Sequence, residues 1–150
     1  MNIDYFMNAA IIQAKYALDN NEVPVGGILV DNNTDEIIVK SYNRVNRKKN
    51  AIYHCEIDLI INGCKKLSSK YLDNTVMFVT LEPCLMCASA IREVHINKLY
   101  FGAYDEKNGG FEKNKPLFQN KHAFKTEIYG GIMEKDCKNL LEEFFIKIRK

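Results

Sequence analysis

The chain has 150 residues, of which 47% are hydrophobic and 27% charged, with a formal net charge of +2. One domain of this length buries about 70% of the surface that its unfolded chain exposes, whereas two half-size units would each lack an adequate core, so residues 1–150 read as a single domain. The near-balanced charge excludes a polycation or an acidic tail, five cysteines behind a start without export-signal layout point to reduced thiols in a cytoplasm, and no apolar run is long enough to span a bilayer.

Ile3, Phe6, Ala10, Ala14 and Ala17 recur at three-to-four spacing and predict an opening amphipathic helix to about Asp19. Val25 to Val30 is a short apolar run that reads as a buried strand. Asp31 to Asp35 is turn chemistry, and Glu36 to Lys40 returns as the second strand of a hairpin. A polar stretch from Ser41 to Asn50 carries Arg44, Arg47, Lys48 and Lys49. Ile57, Ile60, Ile61, Cys64 and Leu67 mark a second helix, and Thr75 to Thr80 is a candidate central strand. Cys84 to Arg92 reads as a helix, Lys98 to Phe101 and Thr126 to Tyr129 as strands, with a long loop from Gly102 to Lys125 between them. The final helix is marked by Cys137, Leu140, Leu141, Phe144, Phe145 and Ile148. Such alternation predicts an α/β domain with helices on both faces of one sheet, and no internal repeat or linker interrupts it.

The residues that carry chemistry are His54-Cys55-Glu56 and Pro83-Cys84-Leu85-Met86-Cys87. At i and i+3 on a helix, Cys84 and Cys87 face the same way, as one metal ion requires, and Pro83 suits a first helical turn. Unpaired N–H groups at a helix start favour thiolate, the metal-binding form. The strand before this turn delivers it to the carboxyl edge of the sheet, where open α/β folds place their sites. His54 opens its own helix and is expected to share a face with Ile57 and Ile61, with Glu56 turned toward the Ile60 side.

One histidine and two cysteines give zinc three protein ligands and leave a fourth position for water, the arrangement of a catalytic rather than a structural site. Glu56, two residues from His54, is then the natural general acid/base. Two other readings stand beside this one. The C-x-x-C pair suits redox chemistry, although that would leave His54-Cys55-Glu56 without a purpose. Zinc could also be structural with Cys55 as fourth ligand, although neighbours on a helix point about 100° apart. Cys55, Cys64 and Cys137 otherwise read as small buried hydrophobes, and His95 and His122 as surface or loop histidines. The basic cluster Arg44, Arg47, Lys48 and Lys49 reads as a solvated loop or as an RNA contact beside the pocket, and Lys147, Arg149 and Lys150 as a weaker candidate of the same kind.

The H-x-E and P-C-x-x-C pair is the signature of zinc nucleobase deaminases. Around it, Glu22-Val23-Pro24-Val25-Gly26, Tyr42-Asn43-Arg44, His54-Cys55-Glu56-Ile57, Thr80-Leu81-Glu82-Pro83-Cys84-Leu85-Met86-Cys87-Ala88, Phe101-Gly102-Ala103-Tyr104-Asp105 and Phe144-Phe145 follow in order. In these runs the chain closely resembles the bacterial tRNA adenosine deaminases of the cytidine deaminase superfamily. The resemblance implies a three-layer α/β/α sandwich with a mixed five-stranded sheet, and a homodimer that holds a tRNA anticodon stem-loop. It implies one zinc ion per subunit on His54, Cys84 and Cys87, proton shuttling by Glu56, a base contact by Asn43, and Asp105 near the substrate loop. The implied reaction is hydrolysis of adenosine to inosine at the wobble position. The rivals are a guanine- or cytosine-type deaminase acting on free bases or nucleosides, and a zinc-stabilised RNA-binding module without turnover.

Four departures fall on the substrate side. Asn50-Ala51-Ile52-Tyr53 stands where the family carries Asp-Pro-Thr-Ala, Cys55 where it carries Ala, Tyr104 where Arg is common, and Ala123-Phe124 where an Asn-His pair is usual. Tyr53 in particular is expected to narrow the pocket.

Overall fold

Asp31 closes a tight turn by accepting the backbone N–H groups of Asn33 and Thr34, and this turn joins β1 (Gly26–Asp31) to β2 (Ile37–Tyr42) as an antiparallel hairpin. The computed structural model of the protein describes residues 1–111 and 122–149. β1 also pairs antiparallel with β3 (Thr75–Leu81), while β3, β4 (Lys98–Ala103) and β5 (Glu127–Tyr129) run parallel, giving the order β2-β1-β3-β4-β5. The mixed five-stranded sheet is as expected from the sequence.

Strand alternation sends side chains to two cores. Ile28, Val30, Val76 and Phe78 meet α1 (Ile3–Asp19) and α5 (Glu134–Ile148) on one face. Leu29, Met77, Val79, Leu99 and Phe101 meet α3 (Cys55–Leu67) and α4 (Leu85–Glu93) on the other. A short helix, α2 (Val45–Lys48), occupies the basic stretch. Gly26 is where α1 comes closest to the sheet: a Cβ there would lie 2.2 Å from the backbone N of Ala14. The small residues Ala10 and Ala14 on α1 complete that approach.

The sequence stripes overshoot the packed faces. Ile61 and Leu67 are exposed, and α3 instead buries Cys55, Glu56, Asp58, Leu59, Ile60 and Gly63. Two of those buried residues are acidic, which is why hydrophobic periodicity selected a rotated face. On α5, Cys137, Leu140 and Phe144 are buried, whereas Phe145 and Ile148 face outward. Gly102 and Ala103 belong to β4 rather than to the loop. Residues 112–121 of that loop and Lys150 lie outside the described residues. His95 is a surface histidine, held between the Tyr71 and Phe124 rings.

Candidate metal centre and its cavity

The end of β3 and the starts of α3 and α4 meet at one edge of the sheet. Cys84 is the extended N-cap of α4 and Cys87 lies in its first turn, while His54 is the extended N-cap of α3. The Cys84 sulfur and the His54 ring face each other across the space between the two helix starts. Nδ1 of His54 stands 3.7 Å from Sγ of Cys84 and 3.5 Å from Sγ of Cys87, and one donor atom from each residue lies within 4.8 Å of the others. This is the single such group among the described residues. An imidazole and two thiols converging in this way suit zinc, with one coordination position left open.

Two details differ from the sequence expectation. His54 precedes α3 rather than lying on it, so it shares no helical face with Ile57 or Ile61. Pro83 stands one residue before the N-cap, outside α4, and its carbonyl accepts the N–H of Gly110. Cys55 is fully buried, its thiol donating to the Ser41 carbonyl at 3.4 Å, and it is not part of the donor group. It fits the expectation of a small buried hydrophobe.

A cavity of about 410 Å³ opens over the donor group, lined by His54, Glu56, Cys84, Asn43 and Asp105 among others. Glu56 is 4% exposed, and burial pushes its carboxyl up to about 7. The Cys87 thiol beside Cys84, helped by His54, holds Cys84 down at about 4 against the opposing effect of burial. Cys87 moves up in turn, because its thiol donates to Cys84 and is buried, and the Cys84 bond raises His54. Without metal, Cys84 is thus the more readily ionised thiol of the pair, beside a carboxyl poised near neutrality.

Asn43 is 9% exposed; its Nδ2 makes a long 3.5 Å bond to the Val23 carbonyl, and its buried Oδ1 has no hydrogen-bond partner among the described residues. A buried acceptor lining a cavity without a protein donor is suited to a ligand N–H or O–H. Asp105 turns its own loop, its Oδ1 accepting the N–H groups of Lys107 and Asn108. Tyr53 does not narrow the cavity. Its hydroxyl donates to Asp58 at 2.7 Å, and the neighbouring Ala51 lines the wall instead.

Sequence reasoning assigned no role to two further carboxylates, Glu22 and Glu82, although both lie inside the runs that carry the resemblance. Glu22 accepts the N–H groups of Asn46 and Arg47 at 2.9 and 2.8 Å, fixing the start of α2. Glu82 accepts those of Asp105 and Phe111 at 3.1 and 3.3 Å, fixing the loop after β4. Their signal was an acidic residue inside an apolar, strand-adjacent run. Arg44 is not free for RNA, since Asp58 holds it at 3.3 Å and it lies over the Tyr42 ring; Arg47, Lys48 and Lys49 are exposed.

Residues 1–103 match the family described as the cytidine and deoxycytidylate deaminase zinc-binding region. The chain is 46% identical over 144 residues to a tRNA-specific adenosine deaminase of Rickettsia bellii, covering 95% of this chain and 99% of the relative. It is 36% identical to the tRNA-specific adenosine deaminase of Bacillus subtilis, covering 98% and 91%. A solved structure from work on A-to-I editing by tRNA:A34 deaminases at the wobble position of transfer RNA superposes with a TM-score of 0.85 at 34% identity, covering 91% of this chain and 99% of that one.

Proposed function

The chain belongs to the zinc-binding cytidine and deoxycytidylate deaminase family, and we propose that it hydrolyses adenosine to inosine at the wobble position of a tRNA anticodon, with residues 1–150 acting as one deaminase domain. The substrate follows from the tRNA-specific relatives. The observation that carries the chemistry is Glu56: a buried carboxyl lifted to about 7, in the same cavity as a three-residue metal donor group.

His54, Cys84 and Cys87 would hold zinc, which when bound lowers the pKa of water toward about 7. Glu56 takes a proton from the attacking water and delivers protons to the purine ring nitrogen and to the departing amine. Water adds its oxygen at C6, the C6–N bond breaks, and ammonia leaves. A carboxyl near neutrality suits both halves of that relay, because it accepts and returns a proton at similar cost. Asn43 supplies an acceptor for a donor on the base or sugar. A splayed anticodon loop suits the cavity, because its bases unstack at little cost.

Two coarser expectations go with this reading. No helix among the described residues is long and apolar enough to cross a membrane, and the tRNA-specific relatives support a cytoplasmic site of action. The homodimer is supported by exposed apolar residues beside the donor group in sequence: Ile52, with Leu85 and Met86 in the first turn of α4. Sedimentation at micromolar concentration reads its mass.

The deciding experiment incubates zinc-loaded protein with an anticodon stem-loop bearing a wobble adenosine and measures inosine by mass spectrometry. Glu56→Ala protein and free adenosine, cytidine and guanine run in parallel. Inosine in the RNA, lost with Glu56, is the expected result; ammonia from the free substrates alone would overturn the tRNA assignment.

A further inference from the structure

Asp58 is 6% exposed and receives four side-chain donors. Oδ2 accepts from Ser41 Oγ and from Arg44 Nη1 at 3.3 Å, and Oδ1 accepts from Tyr53 OH at 2.7 Å and Asn62 Nδ2 at 3.0 Å. Arg44 also bonds Ser41 Oγ at 2.9 Å and the Tyr42 carbonyl at 3.3 Å. Two of these donors sit at opposite ends of one segment. Arg44 follows Asn43, and Tyr53 precedes His54. Between them the chain forms the cavity wall that includes Val45, Asn46 and Ala51.

From this arrangement we infer that Asp58 is a positioning residue for substrate binding in the deamination proposed above, clamping both ends of the 43–54 wall through Arg44 and Tyr53. The Asp58 carboxylate bonds no metal-donor side chain and does not line the cavity, so it reaches the wall through its hydrogen-bond partners, of which Arg44 and Tyr53 stand at the two ends. Its backbone N–H bonds the His54 carbonyl at 3.1 Å, which ties the clamp to the first turn of α3. With Arg44 neutralised and Tyr53 bonded, Asn43 and the exposed run Arg47 to Lys49 are ordered before substrate arrives. The inference rests on the proposed reaction for its kinetic part and on the chain alone for its ordering part.

Three variants test it: Asp58→Asn, Tyr53→Phe and the double substitution, each zinc-loaded. Hydrogen exchange reads the wall without substrate. Faster exchange of amides within 45–54, with β3 unchanged, is expected in each variant; unchanged exchange overturns the clamp. Stem-loop kinetics read the positioning. A KM raised about tenfold, with kcat within about twofold and zinc content intact, is expected for Asp58→Asn. Equal losses in kcat and zinc content would make Asp58 a general structural residue and overturn the assignment. Tyr53→Phe removes a single hydroxyl, so it answers the question if Asp58→Asn fails to fold. The double variant is expected to cost less than the sum of the two, as members of one network do; full additivity overturns the shared clamp. If wild-type protein makes no inosine, the tRNA reading falls, and the exchange result decides the clamp by itself.

Discussion

Nδ1 of His54 and Sγ of Cys87 lie 3.5 Å apart across 33 positions of sequence, one at the start of α3 and the other in the first turn of α4. Strands β2 and β3 each pair antiparallel with β1 and so run the same way, and α3 and α4, which follow them, therefore begin at the same edge of the sheet.

Glu56→Gln keeps the size of the side chain and removes its proton exchange. Turnover is expected to fall by about 10²–10⁴, with zinc content and circular dichroism unchanged. Wild-type turnover in this variant would remove Glu56 from the reaction.

Cys84 is expected to be the reactive thiol of metal-stripped protein. At pH 6 its thiolate, held at about 4, is populated, while Cys137, raised to about 12 by burial, and the fully buried Cys55 stay protonated. Iodoacetamide followed by peptide mass spectrometry should find Cys84 first. Zinc added beforehand should protect it.

The raised Glu56 carboxyl links stability to pH in metal-free protein. Its pKa rises from 4.5 in the unfolded chain to about 7 when folded, so the folded state holds the proton more tightly between those values. Burial costs nothing below 4.5, and stability is lost as pH rises through 7, by on the order of 3 kcal/mol in full. Urea unfolding of wild type against Glu56→Gln, at pH 5 and 7.5 in chelator, isolates the effect. Parallel curves for the two proteins would contradict it.

Asn43→Ala is expected to raise KM for the stem-loop about tenfold or more while leaving the melting temperature within a few degrees. The side chain gives up one long bond to Val23 and an acceptor with no protein partner among the described residues, so folding loses little and binding loses a contact.

Arg47, Lys48 and Lys49 replaced together by alanine should weaken RNA binding and flatten its dependence on salt. Three lost phosphate contacts at about 0.7 each predict a slope smaller by about 2. An unchanged slope would leave that run a solvated face.

Much of this was legible in the sequence, and for identifiable reasons. Apolar runs at Val25–Val30 and Thr75–Thr80 read as buried strands and form β1 and β3, and the donor set announced itself by residue type and spacing. What escaped were buried charges. Glu22, Asp58 and Glu82 look like surface residues in a one-dimensional pattern, since only the fold shows the backbone N–H groups and hydroxyls that satisfy them. For the same reason Tyr53 was read as an obstruction: its partner Asp58 lies on the next turn, on a face that hydrophobic periodicity had assigned to solvent.

Glu22 and Glu82 hold the two cavity loops by main-chain N–H groups, at Asn46 and Arg47 on one side and at Asp105 and Phe111 on the other. Main-chain suspension is indifferent to which side chains the loops carry. The side chains at Asn46, Arg47 and Phe111 can therefore change while the loop path stays put, and a change of preferred substrate need not begin with a loss of the fold.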